Sequence, residues 1–195
     1  MILYRCFAWD DHARHAEPDG PLWFPRVFQG EGRHDNPDLY GCLYLADRAV
    51  SCVVEQLARF RGQRLSPPLL RRRGLPLAVA ELDLVDGAEL IDLDDPVVLR
   101  RERLRPSVVA TRHRDMTQPQ ARRLHEQHAG AAGLGWWSSH EALWMNVTLF
   151  DRAAAQLRVR SVRALAVDDP AVVEAAHFFG LRLIRQRSVS TRPGD

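Results

Sequence analysis

Short apolar runs, several of them alternating with polar residues, recur along the chain and predict β-strands. The first is ILYRCFA at residues 2–8, and YGCLYLA follows at 40–46. Later runs of the same kind are LAVAELDLV at 77–85, AELIDL at 88–93, NVTLF at 146–150, LRVRSVRALAV at 157–167 and LRLI at 181–184. Asp86 and Gly87 separate two of these runs and predict a hairpin turn between them.

Other segments carry the helical period. Asp47 is a favourable N-cap, and Gly62 is a favourable helix end. Between them, apolar residues recur on one helical face at Val50, Val53, Val54, Leu57 and Phe60. Three further helices are predicted: a short one opened by Asp95 and Pro96 and running to about Leu104, a polar one over 117–128, and AVVEAAHFFG, capped by Asp169 with Pro170.

Strands and helices are interspersed along the chain, and no internal repeat is present. At 195 residues the sequence predicts a single domain over 1–195, with an ordered core over 1–187 and a tail over 188–195. Residues 10–23 and the proline- and arginine-rich 63–76 are predicted surface loops. The predicted class is α+β, with a split, mostly antiparallel β-sheet flanked by helices.

Composition excludes several classes of protein. Apolar residues make up 46% and charged residues 27%, which is typical of a folded soluble domain. The net charge of +2 gives no general argument for nucleic-acid binding, although the run Arg71–Arg73 leaves a local basic patch open as an alternative. No membrane helix or secretory signal is predicted, so the expected location is the cytoplasm. Three cysteines without CxxC spacing are predicted to be buried thiols.

Arg33, Tyr44 and Glu55 follow one another at equal intervals of eleven residues, in a loop, a strand and a helix. Glu55 lies at the border of the apolar stripe of its helix, where a carboxylate can line a cleft or simply face solvent. The Arg33 loop is rich in glycine and turn residues, so it can approach a phosphate or carboxylate ligand, or be an ordinary surface loop. The Tyr44 ring faces the side of the sheet opposite to its leucine neighbours, and packing is the simpler interpretation.

Several catalytic motifs are absent. HEQH at 125–128 spaces its histidines by three residues, whereas HExxH zinc sites need four, so no metal site is predicted. SSHE at 138–141 lacks the GxSxG elbow of serine hydrolases. The sequence has no GxGxxG or Walker loop, and any nucleotide must bind through another architecture.

The segments GEGRHDNPDLYGCLYLADRAVSCVVEQL and GLGWWSSHEALWMNVTLF resemble the RES-domain toxins of bacterial toxin–antitoxin systems. The first is similar to that family's arginine loop, tyrosine strand and glutamate helix, although GEGRHDNP stands where the family form is GGRW. The second is similar to its serine-to-asparagine block. The resemblance spans residues 3–184.

The resemblance implies a set of functional residues. The predicted catalytic residues are Glu55, Arg33, Tyr44 and Ser138, with Ser139 as a rival for the serine position. The predicted substrate-binding residues are Arg5, Asn146 and Arg26.

The resemblance also implies an ADP-ribosyltransferase-like fold and an activity that cleaves the nicotinamide–ribose bond of NAD, with water or inorganic phosphate as acceptor. NAD would be a substrate, and no cofactor or metal is expected. The expected protein partner is an antitoxin with an Xre-like domain, in a complex that can contain a toxin homodimer; direct contact with nucleic acid or membrane is not expected. Two alternatives remain open: transfer of ADP-ribose to a macromolecule, and a non-catalytic interaction module on the same scaffold.

Overall fold

A computed structural model of the chain describes residues 1–184. The predicted tail at 188–195 and the end of the predicted ordered core, 185–187, lie outside the described residues. The strands are β1 (Ile2–Ala8), β2 (Cys42–Ala46), β3 (Arg64–Leu65), β4 (Arg71–Arg72), β5 (Leu75–Leu84), β6 (Leu90–Asp92), β7 (Gly133–Trp137), β8 (Met145–Phe150), β9 (Leu157–Ala164) and β10 (Arg182–Leu183). The α-helices are α1 (Ala49–Leu57), α2 (Pro96–Arg101), α3 (Pro106–Val109), α4 (Arg114–Gln127) and α5 (Pro170–Phe179).

Eight strands form one sheet in the order β4-β5-β1-β2-β8-β7-β6, with β9 paired to β5. All neighbours in this sheet are antiparallel except β6 and β7. A separate parallel pair joins β3 to β10. The predicted α+β class, with a mostly antiparallel sheet and flanking helices, is confirmed.

Helix α1 is amphipathic, as its sequence predicts. Val50, Val53, Val54 and Leu57 are buried and pack with α5 in the core on one face of the sheet. Complete burial of such a side chain contributes about 1.5–3 kcal/mol of transfer free energy. The predicted cap is wrong, because the helix begins at Ala49 with Arg48 in the N-cap position and no side-chain cap.

The hairpin predicted at Asp86 and Gly87 is wrong. Gly87 does make a turn with a φ of 88°, but β5 and β6 do not pair. Strand β5 already has β1 along one edge, with β4 and β9 along the other, so no edge is open to β6. The chain therefore crosses to the far end of the sheet, where β6 pairs in parallel with β7.

Residues 63–76 are more ordered than the predicted surface loop. They contain β3, β4 and a short 3-10 turn over 67–70. Leu65 and Leu70 are buried in the α1–α5 core. The prolines and arginines of the segment predicted a surface loop, and for this reason the burial of these two leucines was not predicted. Among the helices of residues 1–184, none is both long and apolar enough to cross a membrane.

Gly133 permits the close pairing of β7 with β8. A Cβ atom at this position would lie 2.2 Å from the carbonyl oxygen of Thr148. We expect Gly133→Ala to lower the free energy of unfolding by about 2 kcal/mol, because the two strands must move apart. Thermal unfolding measures this effect. Gly130→Ala is the matched control, since its Cβ meets nothing within 4 Å; equal melting temperatures for the two variants would contradict the prediction.

Candidate active site

A cleft opens where β1 and β2 separate. These antiparallel strands pair only at Tyr4 and Ala46, and they diverge toward Ala8 and Cys42. The opening has a volume of about 860 Å³ and is lined by residues of both strands and of α1. This volume lies in the range of ligand-binding pockets.

The free edge of β2 is partly satisfied by a side chain. The backbone N–H of Cys42 donates to Oε1 of Gln29 at 3.1 Å, and Nε2 of Gln29 donates to the Cys42 carbonyl. One amide side chain thus replaces the strand partner that β1 does not supply. Between Cys42 and Ala46, the edge of β2 faces the cleft.

Glu55 projects from α1 into the cleft, with 35% of its side chain exposed. Its Oε1 accepts hydrogen bonds from Oγ of Ser138 at 3.1 Å and from Nδ2 of Asn146 at 3.2 Å. Its Oε2 lies 3.6 Å from Nε2 of His140. The carboxylate is therefore oriented by three side chains from β8 and from the loop after β7.

These orienting side chains are themselves fixed. Ser138 and Asn146 are buried, at 2% and 3% exposure. Oγ of Ser51 donates to Oδ1 of Asn146 at 3.3 Å, and the backbone N–H of His140 donates to Oγ of Ser138 at 3.1 Å. Ser139, the rival for the serine position, is exposed.

Tyr44 lies on the same wall of the cleft and is hydrogen-bonded to Asp35. Its hydroxyl donates to Oδ1 of Asp35 at 2.7 Å and accepts from the His34 backbone N–H at 2.9 Å. Burial raises the pKa of Tyr44 well above its ordinary value of 10. The phenol is therefore neutral and acts as a hydrogen-bond donor.

The loop that carries Arg33 is tied down from two sides. Oδ2 of Asp35 accepts from the backbone N–H groups of Gly30 at 2.8 Å and Gly32 at 2.7 Å. From α4, Thr117 Oγ1 donates to the Arg33 carbonyl at 2.6 Å. Gly32 must lack a side chain, because a Cβ there would lie 2.5 Å from the Asp35 carboxylate. The loop thus has a defined path along the cleft.

Arg33 lines the cleft, and one nitrogen of its guanidinium is held by backbone carbonyls. Nη1 donates to the carbonyl of Val109 at 3.1 Å and to that of Thr111, and the group lies 4.6 Å above the Trp136 ring. Burial lowers the pKa of Arg33 to about 10, so it stays charged at neutral pH. Arg33 thus joins its own loop to the end of α3 and the segment after it, while its Nε is buried without a hydrogen-bond partner among the described residues.

Arg5 and Arg26, two predicted substrate-binding residues, have different environments. Arg5 lines the cleft, but its Nη1 donates to the carbonyls of Gly20 at 3.1 Å and Pro21 at 2.6 Å. Burial lowers the pKa of Arg5 to about 9. Arg26 is exposed, donates to the Pro37 carbonyl, and is not among the cleft-lining residues. The structure thus brings Arg5 to the cleft but not Arg26.

Of the other predicted site residues, Arg33, Tyr44, Glu55 and Asn146 all line this cleft, and Ser138 reaches it through Glu55. The residues of the site that were not predicted include His140 and Asp35. His140 follows Ser138 by two positions in SSHE, and Asp35 belongs to HDNPD, which reads as a turn. The spacing of His140 from Ser138 was the available signal; nothing local indicated that Asp35 would face Tyr44.

Residues 1–184 contain no cluster of three or more histidine, cysteine, aspartate or glutamate side chains that could hold a metal ion. The predicted absence of a metal stays a prediction. His125 of HEQH instead stacks on the Tyr40 ring, with 4.4 Å between ring centroids.

Comparison with known proteins places this architecture in context. No curated protein sequence matches the chain. A similar solved fold is found in the crystal structure of the M. tuberculosis MbcT–MbcA toxin–antitoxin complex, with a TM-score of 0.60 and 20% identity over 93% of this chain and 88% of that one. The family model described as RES domain matches residues 2–170. The chain therefore belongs to the RES domain family.

Proposed function

We propose that this chain is the toxin of a toxin–antitoxin system and that it degrades NAD in the cytoplasm. It cleaves the bond between nicotinamide and ribose and passes the ADP-ribosyl group to water or inorganic phosphate. The observation that carries this proposal is the environment of Glu55, a carboxylate held by Ser138, Asn146 and His140 in a cleft of about 860 Å³.

The residue types suit this chemistry. When the bond from ribose C1′ to the nicotinamide nitrogen breaks, its electron pair leaves with the now neutral nicotinamide, and positive charge develops on the ribose, as in glycoside cleavage. A fixed carboxylate stabilises this charge in the transition state more than in the ground state. By analogy with oxyanion-hole deletions, one such contact contributes about 3–4 kcal/mol. An acceptor oxygen then bonds to C1′ and releases its proton.

The neighbours of Glu55 divide its two oxygens between separate tasks. Oε1 receives the hydrogen bonds of Ser138 and Asn146, which set the orientation of the carboxylate. Oε2 accepts no hydrogen bond within residues 1–184 and lies 3.6 Å from Nε2 of His140. Oε2 is therefore the oxygen that can turn toward the ribose. Tyr44, a neutral phenol in the same cleft, offers a surface for the neutral nicotinamide ring.

The activity should depend on the protonation of His140. Burial lowers the pKa of His140 below its ordinary value of 6.5; Glu55 opposes this effect, and Arg112, Arg61 and Arg33 add to it. The ring is therefore neutral at pH 7–8 and gains a proton as the pH falls below 6.5. The imidazolium then offsets the charge of Glu55, so we expect kcat for nicotinamide release to fall on acidification.

His140→Asn should remove this part of the pH dependence and leave kcat flatter between pH 7 and pH 5. His12→Asn, which replaces a histidine whose side chain is 93% exposed, is the control and should keep the wild-type profile. Stopped assays of nicotinamide release at each pH give the comparison. Superimposable profiles for His140→Asn and wild type would exclude a role of this residue in the acid limb.

A cognate antitoxin is part of the proposal. The fold is similar to that of a chain from a toxin–antitoxin complex. An Xre-like antitoxin that covers the cleft would keep NAD away from Glu55. Co-expression with the product of the adjacent reading frame, followed by co-purification and assay, should give an inactive complex.

The central test is incubation of the purified chain with NAD, with and without inorganic phosphate, while free nicotinamide is measured. Release of nicotinamide together with free ADP-ribose or its 1″-phosphate supports the proposal and identifies the acceptor. ADP-ribose attached to protein or nucleic acid would instead support the transferase alternative. No release under either condition, from a protein that is folded and free of antitoxin, would support the non-catalytic alternative.

A further inference from the structure

The cleft is lined by more cations than anions. Its arginines are Arg5, Arg33, Arg59, Arg72, Arg73 and Arg114, and its carboxylates are Asp19, Glu31, Asp35 and Glu55. A surplus of guanidinium groups in a partly enclosed space favours an anionic ligand. An arginine that already has partners within the protein is less available to this ligand than one that has none, so the contacts of each arginine indicate which of them can bind it.

Four of the six arginines are engaged within the protein. Arg5 and Arg33 donate to backbone carbonyls, as described above. Arg73 forms an ion pair with Asp19, and Nε of Arg114 donates to the Glu31 carbonyl at 3.0 Å. These contacts fix the loops around the cleft. Nε of Arg33 and Nη1 of Arg114 have no hydrogen-bond partner in the described part of the chain, but both atoms are buried and do not face a ligand in the cleft.

Arg59 and Arg72 differ from the other four. The Arg59 guanidinium lies 4.8 Å above the Phe60 ring and makes no hydrogen bond within residues 1–184, and Arg72 makes a single long hydrogen bond of 3.4 Å to the side chain of Gln56. Neither forms an ion pair with a carboxylate anywhere in residues 1–184. Burial lowers the pKa of Arg72, and the nearby charges of Arg59 and Arg73 lower it further. Like charges gathered without a counter-ion are stabilised when an anion binds between them.

The position of Arg59 relative to Glu55 indicates which anion fits. Arg59 follows Glu55 by four residues, and the chain stays helical past α1 through a 3-10 turn over Ala58–Phe60. The two side chains therefore lie on one face, separated by a rise of roughly 6 Å. In a nicotinamide dinucleotide about five covalent bonds join the ribose C1′ to the nearer phosphorus, a span comparable to that roughly 6 Å rise.

We propose that Arg59 and Arg72 form a subsite for the pyrophosphate of the dinucleotide. The assignment rests on the proposed function, because it places C1′ beside Glu55. It moves the phosphate-binding role, which the sequence suggested for Arg33, to two arginines outside the motif. Arg33 instead holds the cleft in shape through Val109, Thr111 and Trp136.

Binding of inorganic pyrophosphate and of ADP, measured by calorimetry, tests the subsite without any turnover. We expect Arg59→Gln and Arg72→Gln each to weaken binding about tenfold, since each removes a charged hydrogen-bond donor. The double variant should lose both contributions. Arg64→Gln is the control, because Arg64 is exposed on β3 and does not line the cleft. Equal affinities for wild type and the double variant would overturn the assignment.

Turnover measurements distinguish a subsite for the pyrophosphate of NAD from a subsite for orthophosphate as the acceptor. The ratio of kcat/KM for NAD to that for nicotinamide riboside, which has no phosphate, should fall about tenfold in each single variant, mainly through the KM for NAD. If the variants instead raise only the concentration of orthophosphate needed for half-maximal rate, the subsite serves the acceptor and the assignment is wrong. A wild type that binds pyrophosphate through these arginines but releases no nicotinamide would refute the proposed function and leave the anion subsite standing.

Discussion

Glu55→Gln should reduce kcat for nicotinamide release by a factor of about 10² to 10³. Glutamine keeps the size of the side chain and an oxygen that can accept from Ser138 or Asn146, but it removes the negative charge. That charge interacts with the ribose mainly in the transition state, so a loss of about 3–4 kcal/mol should fall on kcat and leave KM little changed. Initial rates over a range of NAD concentrations separate the two parameters.

The control for this prediction is Glu174→Gln. Glu174 is exposed on α5 and does not line the cleft. It should keep wild-type rates, and both variants should unfold within a few degrees of wild type. If Glu55→Gln retained more than a tenth of the wild-type kcat, a role for Glu55 in stabilising the cationic ribose would be untenable.

Asp35→Ala should give the largest loss of stability among the site variants. The Asp35 carboxylate accepts hydrogen bonds from Gly30, Gly32, Tyr44 and the Cys42 thiol. Alanine leaves these donors without their partner at a position that is only 5% exposed, at a cost of about 3 kcal/mol. For a domain of this size that cost lowers Tm by about 10 °C. Differential scanning calorimetry measures both quantities.

Two further variants make this prediction specific. Asp35→Asn keeps an oxygen for Tyr44 and should be intermediate, because its amide group opposes two backbone N–H donors. Asp94→Ala removes an exposed aspartate in the turn before α2 and should leave Tm unchanged. If Asp35→Ala had the same Tm as Asp94→Ala, Asp35 would not be the residue that stabilises the loop carrying Arg33.

The sequence predicted most strongly what depends on local pattern. The period of Val50, Val53, Val54 and Leu57 gave the buried face of α1 and, with it, the border position of Glu55. Strand alternation gave the face on which Tyr44 lies. The N-cap at Asp169 is also confirmed, since its side chain accepts from the backbone N–H of Ala171.

What the sequence did not predict depends on partners distant along the chain. The turn residues Asp86 and Gly87 do not show whether the edges of β5 are already paired. Both edges are paired, with β1 and β9, so the predicted hairpin does not form. Strand β7, GLGWW, lacks the usual β-branched residues, and Gly133 is needed there only because Thr148 approaches so closely. His140 and Asp35 acquire their roles from contacts with Glu55 and Tyr44, which no local pattern reports.

The single backbone pair between Tyr4 and Ala46 has a mechanical consequence. A continuous ladder resists shear, whereas two half-sheets with one backbone pair between them can shift with little loss of hydrogen bonding, and side chains such as Leu3 and Leu43 then carry most of the contact between them. The width of the gap then depends on this side-chain packing and on what occupies the cleft. An occupant that contacts both half-sheets would stiffen the whole domain and slow amide hydrogen exchange even in strands that it does not touch.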